Sequence, residues 1–158
     1  MNALPRPVAP RLRPMTVRDL DAVSAIEASA YGFPWTRGNF VDSLAAAHIA
    51  QVLETERVIG YFVALAGVDE LHLLNITIAP RLQGQGYGTL LLEAVAARAR
   101  ACGLPRLWLE VRAGNERAQA LYLRSGYRVV GRRRGYYPVA DGRDDAILMS
   151  RDVAAPAA

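Results

Sequence analysis

The sequence predicts a single α/β domain with a mixed sheet, and three observations support that prediction. The chain has 158 residues, 52% of them apolar and 22% charged, which is the balance of a globular domain with a buried core. Two apolar, β-rich runs, 49–53 and 58–66, are joined by a short polar turn and predict an antiparallel hairpin. Between residues 71 and 126, strand and helix patterns alternate, which predicts a helical crossover within the same sheet.

The two ends of the chain carry no periodic pattern. We expect residues 1–10, which are rich in Pro and Arg, to form a flexible extension, and residues 153–158 to form a flexible tail. The domain is therefore expected to span residues 11–152, and no internal repeat or linker divides it.

Two helices are expected before the first hairpin. Thr16 and Asp19 have the spacing of a capping box and predict a helix to about Ala30. A Pro-containing turn follows, in which Thr36 can cap a second helix that ends within 44–47. The first helix has these residues at helical intervals: Leu20, Val23, Ile26 and Glu27.

The middle of the chain predicts strand, helix, strand. The strand 71–79 leads into a glycine-rich segment and a long helix, 88–102. The strand 106–112 alternates, so Glu110 lies on the face opposite the apolar residues. These apolar residues are Leu107, Leu109 and Val111.

One helix and two strands complete the prediction. Asn115 can cap a helix that Gly126 ends. We then expect strands at 127–132 and 144–149, with a loop between them.

Charge and cysteine content exclude several classes of protein. All 19 basic residues are Arg, which removes a phosphate-loop lysine and any Schiff-base mechanism. The formal net charge is +4, and the basic cluster Arg132–Arg134 is either a solvated strand end, a contact for an acidic ligand or a contact for nucleic acid. With so modest a charge, we do not expect direct nucleic-acid binding. The single Cys102 excludes an internal disulfide and indicates a reducing compartment.

We expect a cytoplasmic protein that does not cross a membrane. The longest nearly uninterrupted apolar run, 58–68, is shorter than the ~18 residues that a spanning helix requires. The first residues lack the apolar core of a secretory signal.

The glycine-rich segment is the sharpest local signal. Gly84, Gly86 and Gly88 stand between a predicted strand and a predicted helix, where backbone N–H groups can converge on a phosphate. A Walker loop would end in Gly-Lys-Ser/Thr, and the spacing differs from that of a dinucleotide fingerprint. A loop that merely turns the chain is the alternative.

Two signatures resemble the GCN5-related N-acetyltransferase (GNAT) family. Gln83-x-x-Gly86-x-Gly88 is similar to its acetyl-CoA pyrophosphate loop, and Asn115–Gly126 followed by Tyr127 is similar to its second signature, in which Phe is usual at the position of Tyr127. The resemblance covers about 11–152. It implies a mixed central sheet with helices on both faces and acetyl-CoA as the acetyl-donor cosubstrate.

Within that family, four segments resemble the bacterial ribosomal-protein alanine N-acetyltransferases: 33–35, 107–115, 135–138 and 141–146. The resemblance implies transfer of acetyl to the N-terminal alanine of a small-subunit ribosomal protein, by direct attack in a ternary complex. Two alternatives stay open: transfer to a lysine or a small amine, and a non-catalytic module that binds acetyl-CoA or the ribosome.

The resemblance also implies which residues hold the donor. Main-chain groups of one strand would hold the acetyl and pantetheine portions, and the glycine loop would hold the pyrophosphate; Asn115 would also contact acetyl-CoA. The strand residues are Ile76, Thr77 and Ile78, and the loop residues are Gln83, Gly84, Gln85, Gly86, Tyr87, Gly88 and Thr89.

Acyl transfer from a thioester to an amine needs a base for the ammonium and an acid for the departing thiolate. The resemblance implies Glu110 as the base and Tyr122 as the acid. The alternatives are a Glu110 paired with an arginine such as Arg112, and a Tyr122 that is only a core aromatic residue.

An α-amine has a pKa of about 7.7–8.0 and a lysine one of about 10.4, so the neutral lysine costs about 3–4 kcal/mol more at neutral pH. An ordinary carboxylate base therefore favours an α-amine. Trp35, Tyr136 and Tyr137 either form the wall of a small pocket for an alanine methyl or are surface packing. His48 and His72 are isolated, and we expect no metal.

Overall fold

The computed structural model describes residues 8–153. The predicted extension 1–10 and tail 153–158 therefore lie mostly outside the described residues. At the boundary, Val153 is 2% exposed and its N–H donates to the carbonyl of Pro105 at 2.8 Å. The packed domain thus includes residue 153, one residue beyond the predicted limit.

Seven strands form one sheet in the order β1-β2-β3-β4-β5-β7-β6. The strands are β1 Arg11–Pro14, β2 Ile49–Glu54, β3 Val58–Ala66, β4 Glu70–Ile78, β5 Arg106–Arg112, β6 Arg128–Val139 and β7 Gly142–Asp152. The helices are α1 Leu20–Ala30, α2 Arg37–Ala45, α3 Tyr87–Ala101 and α4 Glu116–Arg124, with 3₁₀ turns at Val17–Asp19 and Pro80–Leu82. Only β4 and β5 pair in parallel among the described strands, and α3 makes the crossover between them.

The strand alternation builds a hydrophobic core on each face of the sheet. On β2, Leu53 packs into the core beneath α3, whereas its neighbour Val52 packs into the core beneath α1 and α2. Successive strand residues point to opposite faces, so both faces need cover. The predicted mixed sheet with helices on both faces is confirmed.

A bulge in β4 opens the sheet. Val63 of β3 pairs with Asn75, but the next residue, Ala64, pairs with Leu73, so Leu74 is the extra residue. The parallel pairing of β4 with β5 ends at Leu73. Beyond that point β4 stays with β3 and β5 stays with β7, which leaves a gap between the two central strands.

The predicted helices are confirmed, with small differences in their bounds. The first one begins as a 3₁₀ turn because Asp19 accepts a hydrogen bond from the N–H of Thr16 at 2.8 Å and pairs with Arg13. Thr36 caps α2 as predicted, and its Oγ1 accepts from the N–H of Asn39 at 3.1 Å.

The prediction was wrong at both edges of the sheet. Strand β1 was not predicted, since its four residues have no apolar alternation. The loop expected between 132 and 144 is instead a hairpin whose strands β6 and β7 continue to a two-residue turn, Ala140 and Asp141. Most residues of β6 are exposed, so no buried face marks it in the sequence.

Candidate active site

The glycine-rich loop leads into α3, and its backbone conformation depends on glycine. Gly84 and Gly86 have φ angles of +80° and +89°, a region that residues with a Cβ rarely adopt. At Gly88, a Cβ would lie 2.9 Å from Cδ2 of Leu121, so this glycine lets α4 pack close to the start of α3. The first N–H groups of a helix have no partner within it and carry the positive end of its dipole. The loop can therefore bind a phosphate.

A groove of about 460 Å³ runs from this loop to the gap between β4 and β5. We call it the donor groove. Its lining includes nine of the residues expected to hold acetyl-CoA: Ile76, Thr77, Ile78, Gln83, Gly84, Gly86, Gly88, Thr89 and Asn115. Gln85 and Tyr87, also expected there, do not line it. Arg117 and Arg124 of α4 do, and sequence reasoning missed them because they sit seven residues apart within a helix assigned to packing.

A second, smaller cavity of about 160 Å³ lies in the gap between β4 and β5, and we call it the acceptor cavity. Glu110, Trp35 and Tyr137 line it as expected. Tyr136 does not: it is 44% exposed, and its ring packs against that of Tyr137 in a T-shaped arrangement with a centroid separation of 5.0 Å. The alternation of β6 sends the two neighbouring tyrosines to opposite sides, so one of the three predicted pocket residues is a surface residue.

The two spaces meet at a shared wall. Four residues line both: Tyr31, Ile76, Asn115 and Tyr122. Asn115 is fixed there as the cap of α4, since its Oδ1 accepts from the N–H of Ala118 at 3.1 Å.

The Glu110 carboxylate lies at the acceptor cavity with few partners. Its side chain is 9% exposed; Oε1 lies 3.9 Å from Nε2 of His72, and Oε2 lies 4.0 Å from Nη1 of Arg133. Neither distance is a hydrogen bond, and Oε2 is buried without a partner in residues 8–153. Of the arginines that could pair with Glu110, Arg133 lies at the limit of ion-pair distance, whereas Arg112 instead donates to the carbonyl of Pro138 at 2.6 Å.

His72, expected to be isolated, thus faces Glu110. Its ring stacks on Trp108 with a centroid separation of 3.6 Å. Burial, together with the positive charge of Arg133, lowers the pKa of His72 to about 4, so the imidazole is neutral at pH 7. The carboxylate therefore has no cationic histidine beside it.

Tyr122 belongs to the main core and also to both cavities. It is 8% exposed and packs in the core beneath α3, as expected if Tyr122 is a core aromatic residue. Its hydroxyl makes no hydrogen bond within residues 8–153, and burial raises its pKa, which keeps the hydroxyl protonated. A protonated hydroxyl at the junction of the two spaces can act as an acid, so the two interpretations are compatible.

Two arginines of the basic cluster Arg132–Arg134 contact other side chains of the protein. Arg132 pairs with Asp145 at 2.6 Å, and Arg133 lies over the ring of Tyr136. Residues 8–153 contain no group of three metal-ligating side chains and no helix long and apolar enough to cross a membrane.

Comparisons with known proteins agree with this geometry. A family model described as the acetyltransferase (GNAT) family matches residues 20–127. The ribosomal protein bS18-alanine N-acetyltransferase of Escherichia coli (strain K12) is 38% identical over 133 residues, covering 84% of this chain and 90% of that protein. The protein of the same description from Haemophilus influenzae is 34% identical over 134 residues, covering 84% and 91%.

Solved structures show the same fold. The crystal structure of the ribosomal-protein-S18-alanine N-acetyltransferase from Escherichia coli superposes with a TM-score of 0.87 at 33% identity, covering 94% of this chain and 97% of that one. Ard1 from Thermoplasma volcanium superposes with a TM-score of 0.83 at 23% identity, covering 94% and 100%.

The family match, together with these relatives, shows that the protein is an acyltransferase. The chain belongs to the acetyltransferase (GNAT) family, and its acetyl donor is acetyl-CoA.

Proposed function

We propose that this enzyme transfers acetyl from acetyl-CoA to the α-amine of an N-terminal alanine, on the ribosomal protein bS18. The observation that carries the proposal is the position of Glu110 and Tyr122, which line one small cavity that joins the donor groove. Relatives at 33–38% identity whose names state this activity support the choice of substrate. Because that substrate is made in the cytoplasm, we propose that the enzyme works there.

The residues of the loop and of β4 fit the donor. The N–H groups at the start of α3 would hold the pyrophosphate, and Arg117, whose Nη2 lies beside Gly84, would add a positive charge. The backbone of Ile76–Ile78, which lines the groove at the split, would hold the pantetheine and acetyl portions. Acetyl-CoA supplies the acetyl group as a thioester.

In the proposed reaction, Glu110 takes the proton that the acceptor ammonium must lose, and the amine nitrogen bonds to the acetyl carbon as the C–S bond breaks. The Tyr122 hydroxyl gives its proton to the departing sulfur, and the second proton, which the acylated nitrogen loses to form the amide, restores the Tyr122 hydroxyl. No covalent intermediate with the enzyme is needed, because Glu110 and Tyr122 line the same acceptor cavity and Tyr122 also lines the donor groove.

The size of the acceptor cavity supports a small first side chain. About 160 Å³, enclosed partly by Trp35 and Tyr137, suits an alanine methyl and a backbone amine. Arg112 closes one side, lying 4.8 Å from the centre of the Tyr137 ring and 5.6 Å from that of Phe33.

The test is acetyl-CoA turnover, followed as thiol release, with two peptides. One begins with a free N-terminal alanine and contains no lysine; the other has the same sequence but is blocked at its N-terminus and carries one lysine. We expect transfer to the free α-amine alone. Transfer only to the lysine would overturn the proposed substrate class and keep the enzyme class, whereas tight CoA binding without turnover on either peptide would indicate a non-catalytic module.

A further inference from the structure

Glu27, near the end of α1, is a buried carboxylate that the mechanism above does not use. It is 2% exposed, although glutamate is almost never fully buried without a partner. It lies at the edge of the acceptor cavity. In the sequence it falls among the apolar positions of the first helix, so its burial could be expected. Its hydrogen-bond partners could not be predicted from the sequence.

Three donors from three different segments converge on this carboxylate. Oε1 accepts from the hydroxyl of Tyr61 on β3 at 2.6 Å and from Nδ2 of Asn75 on β4 at 3.0 Å. Oε2 accepts from the N–H of Trp35, in the segment between α1 and α2, at 3.0 Å. Each bond to an ionised acceptor is stronger than a neutral one, so the carboxylate ties these segments together.

The same contacts continue to the donor groove. Asn75 Oδ1 accepts from Oγ1 of Thr77 at 2.9 Å. The same Oγ1 of Thr77 lies 2.9 Å from the hydroxyl of Tyr31. The Tyr31 hydroxyl has one proton, which it donates either to Oγ1 of Thr77 or to the carbonyl of Ile76, 3.1 Å away. Thr77 lines the donor groove, so the hydrogen bonds from Glu27 through Asn75 to Thr77 join the wall of the acceptor cavity to the part of β4 that lines the donor groove.

The chain crosses the bulged part of β4. Asn75 and Ile76 follow the bulge at Leu74, where β4 has left β5 and lacks that neighbour's backbone hydrogen bonds. A strand that has lost one neighbour needs other contacts to hold its position. Glu27 of α1 and Tyr31, the residue that follows α1, supply such contacts.

We propose that Glu27 is a positioning residue for acetyl transfer: through Trp35 and Asn75 it sets the wall of the acceptor cavity relative to the β4 backbone of the donor groove. The inference rests on the proposed function, because it concerns an acceptor amine in that cavity. Reacting groups must be aligned to within a fraction of an ångström, and a displacement of 1 Å far from the chemistry can cost about 100-fold in rate.

The test compares kcat per folded molecule for Glu27→Gln with that of the unchanged enzyme, using the free-alanine peptide. Gln has nearly the same shape, but one oxygen becomes an NH₂ group. In place of Oε2 that group cannot accept from Trp35, and in place of Oε1 it cannot accept from Tyr61 and Asn75. We expect kcat to fall by about 10- to 100-fold. The dissociation constant of CoA, measured by calorimetry, should stay within about twofold, because the glycine loop is unaffected.

Two further variants distinguish a role of Glu27 in positioning the reacting groups from a role only in the stability of the fold. Asn75→Ala cuts the same chain of hydrogen bonds without touching Glu27 and should also lower kcat. Ser24→Ala is the matched control: Ser24 lies on α1, and its buried Oγ has no partner in residues 8–153. Its kcat should stay within about twofold.

The outcomes are distinct. If Glu27→Gln and Asn75→Ala are less stable but keep kcat per folded molecule, the positioning role is overturned and the proposed function stands. If the unchanged enzyme acetylates neither peptide, the proposed function fails, and the positioning role fails with it. A loss of CoA affinity equal to the loss of kcat also overturns the inference, because it would show a general collapse of the fold.

Discussion

Replacing Glu110 with glutamine tests whether Glu110 is the base. The structure predicts a large loss of activity and only a small loss of stability. The carboxylate makes no hydrogen bond in residues 8–153, and its nearest charged neighbour, Arg133, is 4.0 Å away and half exposed. An ion pair of that kind contributes about 0–1 kcal/mol. Glu110→Gln should therefore lower the melting temperature by no more than about 4 °C.

Activity should fall far more. A positioned general base contributes about 100- to 10,000-fold, and a 100-fold loss corresponds to about 2.7 kcal/mol of barrier. The loss should shrink as the pH rises. About a tenth of an α-amine is neutral at pH 7 and about nine-tenths at pH 9, so the variant should recover roughly ninefold over this range.

The assay is thiol release with the free-alanine peptide at pH 7, 8 and 9, together with thermal unfolding of each protein. Glu70→Gln is the matched control, since Glu70 lies on the neighbouring strand and its side chain is partly exposed and paired with Arg106. Activity of Glu110→Gln within about threefold of the unchanged enzyme at pH 7 would contradict the role of Glu110 as the base. So would a loss that is the same at all three pH values, because it would reflect altered packing rather than a missing base.

Three further predictions follow from the structure. Tyr122→Phe should lower kcat by about 100-fold while CoA affinity, measured by calorimetry, changes little; a loss of affinity alone would contradict the acid role. Gly60→Ala should lower the free energy of unfolding in urea by about 1–3 kcal/mol, because its Cβ would lie 2.8 Å from the carbonyl oxygen of Thr77; an unchanged midpoint would contradict this. Arg13 holds the pKa of Asp19 below its usual value, so this pair stabilises the fold above about pH 4 and the stabilisation is lost as the pH falls through the lowered pKa. Asp19→Asn should therefore be less stable than the unchanged protein at pH 7 and converge with it in acid; an equal difference in stability at every pH would be inconsistent with the pair.

Local signals in the sequence were sufficient for most of the fold. Thr36 and Asn115 cap helices through contacts only three residues away, and such contacts depend on neighbours in the chain. The alternation of β5 likewise placed Glu110 opposite the apolar core. The extension of β6 beyond residue 132 was missed because this strand is mostly exposed, and an exposed strand has no apolar period.

The site was predicted less completely than the fold. The family resemblance implied the glycine loop, Glu110 and Tyr122; in the structure the loop lines the donor groove, Glu110 lines the acceptor cavity, and Tyr122 lines both. Tyr136 was assigned to a pocket that it does not line, since the sequence does not show which of two adjacent tyrosines faces inward along an irregular strand.

The helices, the central strands, the glycine-rich loop and the family could be predicted from the sequence, because each depends on residues a few positions apart. Only the tertiary structure decided where the sheet splits and what surrounds the split. The bulge at Leu74 depends on pairing with β3, and Glu27 meets Asn75 across 48 residues of chain. Contacts over that distance arise only when the whole core has packed, since no local rule of periodicity or capping relates residues so far apart.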